Sequence, residues 1–174
     1  MLGAVMVAQG HGGSLAALQP ALTALAAECE RVLLVGDVES SLLHMSGAEH
    51  RPLPRGASEL SGLLVALRAA EGDHIALVGT QIPRPSPELL RYMRQVRGSF
   101  EAVIPERPDR SLQPLLSLYH PTLLRRAEGL LAAGEGRIAA LLELASVRRV
   151  TVEEVAKFGD PDELLGPSGP QSVI

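Results

Sequence analysis

The sequence predicts an α/β fold in three layers, a mostly parallel sheet with helices on both faces. Three observations lead there. Short apolar runs alternate with helical, amphipathic stretches along the chain. The strand candidates are apolar at nearly every position rather than every second one, the pattern of strands covered on both sides. The chain has 174 residues, 46% of them apolar, enough for one domain with a full core. We expect that domain over 1–165 and a flexible tail over 166–174.

The elements follow in order. Ala4–Ala8 is an apolar strand candidate. Ser14 is placed to cap a helix running to about Glu30, with Leu15, Leu18, Leu22 and Leu25 on one face. Val32–Val35 is the next strand, closed by Gly36 and Asp37. A short helix is expected over Glu39–Met45 and a short extended piece over His50–Pro54. Ser58–Ala70 is a strong helix that Gly72 ends. His74–Val78 is a third buried strand, and Pro87–Val96 a helix with prolines suited to its first turn. Strands are expected at Ala102–Ile104 and Leu115–Tyr119. Pro121 then opens a helix to about Ala133, and Gly134 and Gly136 separate it from a helix through Leu144. Val147–Val152 is a late strand and Pro161–Leu165 a last helical turn with Asp160 as its cap.

Composition removes several function classes. The net charge is −4, the basic residues are dispersed, and there are two Phe, two Tyr and no Trp, so a nucleic-acid partner is not expected. No apolar run reaches the roughly 18 residues of a membrane span. The amino terminus lacks the basic leader of a secretory signal, and the single cysteine, Cys29, has no partner for an internal disulfide. A cytoplasmic location is the expectation.

In sheets of this kind ligands sit beyond the carboxyl ends of the strands. The first such end is Gln9-Gly10-His11-Gly12-Gly13. Its glycines let backbone N–H groups turn toward an anion, and the following helix N-terminus adds partial positive charge. A tight strand-to-helix turn explains the same residues. No lysine or arginine occurs in this turn, and no GK[ST] follows. Gly79-Thr80-Gln81-Ile82-Pro83 follows another strand, where a carboxylate would hold Mg²⁺ but an amide stands instead. Asp37 suits a turn and also a ribose hydroxyl. Arg107, Asp109 and Arg110 form a charged loop, solvated or able to steer an anion. The five histidines have no metal-ligand spacing, so no metal site is predicted.

Taken in order, several stretches resemble the MobA family of molybdenum cofactor guanylyltransferases, within the MobA-like nucleotidyltransferases. GAVMVAQG at Gly3–Gly10 is similar to the family's first strand and nucleotide loop. SELSGL at Ser58–Leu63 stands where the family has glycine-proline-leucine-x-glycine, and Gly62 matches the last glycine. GTQIPRPSPEL at Gly79–Leu89 resembles the cysteine-aspartate-threonine-proline loop and its helix. QPLLSLY at Gln113–Tyr119, GEGRIAALL at Gly134–Leu142 and FGDPDEL at Phe158–Leu164 match the later motifs.

The resemblance implies a Rossmann-like, nucleotide-diphospho-sugar-transferase-like fold and transfer of GMP from GTP to molybdopterin. It implies a nucleotide site at Ala8, Gln9, Gly10, His11, Gly12, Gly13, Gly62 and Gln81, with GTP and Mg²⁺ as cofactors. The chain departs from the family at the chemistry. The lysine-bearing stretch after the first loop is absent, the loop aspartate falls on Gln81, and the late carboxylate or asparagine pair falls on Lys157 and Gly159. No catalytic residue is therefore assigned. Departure of pyrophosphate needs compensating positive charge. The expectation is a homologue with weak or lost activity that binds nucleotide or cofactor beside a molybdoenzyme or another maturation protein. Two alternatives stand beside it. VAQGHGGS is similar to the opening of cobalt and sirohydrochlorin chelatases, where His11 would bind the metal. An interaction protein without a small ligand is the other.

Overall fold

The computed structural model describes residues 1–7, 15–38, 47–54 and 56–166. Seven strands form one sheet: β1 Leu2–Met6, β2 Arg31–Val35, β3 Glu49–Arg51, β4 Ile75–Gly79, β5 Ala102–Pro105, β6 Leu116–Tyr119 and β7 Val147–Val150. The helices are α1 Leu15–Glu28, α2 Glu59–Ala69, α3 Pro87–Val96, α4 Leu124–Ala132, α5 Ile138–Glu143, α6 Val152–Val155 and α7 Pro161–Leu165. A single 3₁₀ turn, Pro121–Leu123, leads into α4.

The strand order is β3-β2-β1-β4-β6-β5-β7. All pairs are parallel except those of β6, which runs against both β4 and β5. Alternate side chains feed two cores. Val5, Leu34, Val78, Val103 and Leu118 pack with Leu18 and Leu25 of α1 and Leu89 and Met93 of α3. Ala4, Met6, Leu77, Ile104 and Tyr119 pack with Leu60 and Leu63 of α2, Ala127 of α4 and Leu141 of α5. These two cores are the layers on the two sides of the sheet, as the apolar runs predict.

Local signals set most boundaries. Ser58 caps α2 by accepting from Ser61 N, and Ser86 caps α3 by accepting from Leu89 N. Asp160 caps α7 by accepting from Asp162 N. Most boundaries fall within a few residues of expectation, and three of the differences have a local cause. The first strand is Leu2–Met6 rather than Ala4–Ala8, because its register is fixed by pairing Leu2 with both Arg31 and Ile75. Helix α2 closes at Ala70, so Gly72 follows the end instead of making it. The last strand stops at Val150, because Thr151 and Glu154 form a reciprocal capping box that starts α6. The expected Ser14 cap, the Glu39–Met45 helix and the tail beyond Gly166 lie outside the described residues.

Candidate functional site

Because β6 is reversed, one edge of the sheet collects the carboxyl ends of six strands and the start of β6. Backbone hydrogen bonds hold the bases of the loops there. Val7 N donates to Val35 O, Gly36 N to Arg51 O, Thr80 N to Met6 O and Gly79 N to Leu115 O. Gly36 has φ +131° and lies against the Val7 backbone, so a side chain there would be strained and would strike Val7 O at 3.0 Å. Asp37 beside it is exposed, as a turn aspartate is.

Of the expected site residues, Ala8, Gln9, Gly10, His11, Gly12 and Gly13 lie outside the described residues. Gly62 and Gln81 are both at this edge. Gly62 is buried in α2, where a Cβ would stand 2.9 Å from Met6 Cε and 3.4 Å from Leu53 Cδ1. It lets α2 settle against the last residue of β1. Gln81 is exposed, and its Oε1 folds to 2.5 Å from where a Cβ on Gly79 would be. Gly79 is thus the space that the Gln81 amide occupies, a role the sequence reading does not assign.

Three of the motif stretches meet around Gln81. Gln113 is fully buried. Its Nε2 donates to Leu165 O at 2.5 Å, and its Oε1 accepts from Leu115 N at 3.1 Å. That side chain fastens the end of α7 to the start of β6. Gly166, next along, lies 3.8 Å from Gln81 O, measured from an added Cβ. Arg84 and Glu163 pair at 2.8 Å across the same seam. The GEGRIAALL stretch meets SELSGL: Leu60 N donates to Gly136 O, and a Cβ on Gly136 would stand 2.6 Å from Ser58 Cβ. At the mouth of this contact Arg137 binds Glu135 and pulls its carboxyl down to about 2. Glu59, in the first turn of α2, is pushed up by burial.

The charged loop after β5 differs from a simply solvated one. Asp109 and Arg110 are exposed, but Arg107 is 3% exposed. Burial pulls its guanidinium below the ordinary range, while Asp109 acts in the other direction. Arg110, with φ 69°, turns back to pair with Glu106 at 3.0 Å. The chain has one lysine, Lys157, so positive charge at this edge is almost entirely arginine.

Other titratable groups lie away from this edge or are engaged. His74 and His120 stand ring to ring at 4.8 Å at the opposite edge, and His50 Nε2 lies 2.9 Å from Gly36 O. Cys29 is half-buried and its thiol is pushed up to about 11, mainly by burial, so it is no thiolate nucleophile. Among the described residues no group of three His, Cys, Asp or Glu side chains gathers to hold a metal ion. No helix among them is long and apolar enough to cross a membrane.

The comparisons with known proteins agree with this geometry. The family model described as a MobA-like NTP transferase domain matches residues 8–152. A probable molybdenum cofactor guanylyltransferase of Deinococcus radiodurans is 39% identical over 114 residues, covering 64% of this chain and 58% of that protein. One from Pelotomaculum thermopropionicum is 29% identical over 129 residues, covering 74% of this chain and 62% of its own length. The matched part of the chain therefore spans about three fifths of those relatives. Among solved structures, molybdopterin-guanine dinucleotide biosynthesis protein A from Archaeoglobus fulgidus superposes with TM-score 0.71 at 22% identity, over 94% of this chain and 95% of that one. A 2-C-methyl-D-erythritol 4-phosphate cytidylyltransferase from Thermus thermophilus gives 0.66 at 16% identity, over 96% and 93%. These two show the fold alone. With the family model covering most of the chain, the protein is a member of the MobA-like NTP transferase family.

Proposed function

We propose that this chain is a molybdenum cofactor guanylyltransferase homologue that binds a guanine nucleotide and a molybdopterin-type acceptor but transfers GMP slowly or not at all. It acts as a binding component of molybdoenzyme maturation, in the cytoplasm. Its nucleotide site is the β1 loop, Ala8–Gly13, together with Gly62 and Gln81. The observation that carries the reading is Gln81. It stands just past β4, exposed, where the family resemblance puts an aspartate. An amide is a weak ligand for Mg²⁺ and neutralises no charge. Among the described residues no group of three His, Cys, Asp or Glu side chains gathers, so no all-protein cage for a divalent cation accompanies Gln81.

The family match leaves the chelatase-like alternative, with His11 as its metal ligand, without support.

The test pairs binding with turnover. GTP raises the melting temperature, as expected from RT ln(1 + [L]/Kd), about 2.7 kcal/mol at 100-fold saturation. Under the same conditions with Mg²⁺ and molybdopterin, release of pyrophosphate stays at background. Loss of one charge-stabilising group commonly costs about 10²–10³ in rate. Turnover at ordinary enzyme rates would refute the reading of lost activity. No thermal shift with GTP would refute nucleotide binding.

A further inference from the structure

A buried arginine that has lost its hydration needs partners for all of its N–H groups. Arg107 does not have them. Its Nη1 donates to Ser111 Oγ at 3.3 Å and to Leu112 O at 3.2 Å. Its Nε and Nη2 are buried and have no hydrogen-bond partner. No neighbouring carboxylate hydrogen-bonds Nε or Nη2, although Asp109 is near enough to favour the charge. Asp109 Oδ1 accepts from Ser111 N and Ser111 Oγ, and Glu106 pairs with Arg110. Such an orphaned cation is expensive to keep unless it is completed by something else. The loop holds it deliberately. Arg107 N donates to Ser111 O, Arg110 N to Arg107 O, and Glu106 bridges to Leu112.

The two unused donors are not scattered. Nε–H and one Nη2–H point in parallel from the same side of the guanidinium, the fork that accepts two oxygens of one phosphate or carboxylate. Anchoring Nη1 to Ser111 and Leu112 fixes the plane of that fork. Both donors lie below the surface, so binding at the fork requires local opening of its surroundings.

Position narrows the source of the anion. Arg107 follows β5, and β5 stands three strands from β1 in the sheet. At about 4.8 Å per strand that is about 14 Å along the edge. The fork and the carboxyl end of β1 thus lie on different halves of one edge. We infer that Arg107 anchors the acceptor rather than the nucleotide: its Nε–Nη2 fork receives a phosphate group of the molecule to which a nucleotide would be joined. The terms nucleotide and acceptor rest on the function proposed above, whereas the fork itself does not.

Thermal denaturation and calorimetry of the whole chain test this with inorganic phosphate as the probe, alone and with saturating GTP. Wild-type protein binds phosphate, and the phosphate shift persists beside the GTP shift. Arg107→Met melts higher than wild type in phosphate-free buffer, because the unpaired cation is gone, and it loses the specific phosphate shift. It also reports the general salting effect of phosphate, which is subtracted. Arg107→Lys keeps the charge without the fork and binds phosphate at least tenfold more weakly; it decides the matter if the methionine variant does not fold. An unchanged phosphate affinity in both variants overturns the proposal, as does a methionine variant that melts lower and still binds phosphate. Abolition of the phosphate shift by GTP assigns the fork to the nucleotide and overturns the acceptor placement. A phosphate shift that depends on Arg107 in a chain with no GTP shift leaves the fork standing and removes the nucleotide reading instead.

Discussion

The two edges of the sheet are built on different terms. At the edge where the parallel strands begin, polar side chains are matched one to another. Glu101 accepts from Arg126 Nη1 at 2.7 Å, from Ser146 N at 3.0 Å and from Thr122 Oγ1 at 3.3 Å. Arg126 holds the Glu101 carboxyl below its usual range. His74, beside it, gives Nε2 to Phe100 O at 3.1 Å. At the opposite edge a buried guanidinium is half unpaired, and an exposed amide covers a glycine. The first arrangement contributes stability. The second gives some up, as the binding role proposed for this edge requires.

The contrast has exceptions at the ligand edge, and one of them carries the largest expected effect. Gln113 lies at the ligand edge but is fully matched, so it should respond like a residue of the other edge. Gln113→Leu strands the Leu115 N–H and the Leu165 carbonyl in the interior and should cost about 3 kcal/mol, at about 1–3 kcal/mol per buried orphan group. Urea unfolding measures it, and a loss under about 1 kcal/mol would mean the joint between α7 and β6 is not a tie. His74 sharpens the contrast through pH. Burial lowers its folded pKa below the ordinary value of 6.5. The folded state therefore disfavours the proton that the unfolded chain binds. Its contribution is fully present above pH 6.5 and is lost as pH falls below that value. Melting curves across pH 5–8 should show stability falling toward acid, and His74→Gln should flatten that slope. The smallest effect belongs to Arg84, whose pair with Glu163 is largely exposed, with side-chain exposures of 73% and 60%. Arg84→Ala should change stability by less than about 0.5 kcal/mol, measured in the same unfolding assay.

Much of this architecture was legible from local chemistry. Pro87 behind Ser86 and Pro161 behind Asp160 each mark a helix start, and the elements begin there. The apolar runs reveal burial on both faces, yet they carry no direction, so the reversal of β6 was not legible in QPLLSLY. Thr151 and Glu154 were a visible capping box inside what reads as a strand end. The site was less legible. Gly62 and Gln81 could be named, but not what they touch. Arg107 reads as one more surface charge among Asp109 and Arg110. Its side chain is held by the returning loop, through Ser111 and Leu112, a conformation its own residue type does not announce. The conformation that closes the loop is set at Arg110, φ 69°, a residue type that does not announce a left-handed backbone.

The backward course of β6 has an evolutionary consequence. A strand entering the sheet where its neighbours leave needs no helix to carry it across, only a short return between Pro105 and Leu116. That return can lengthen, shorten or change its charges without shifting any strand register. In this chain it places an arginine beyond the carboxyl ends of the parallel strands; in a cousin the same few positions can be rewritten while the remainder of the scaffold is inherited intact.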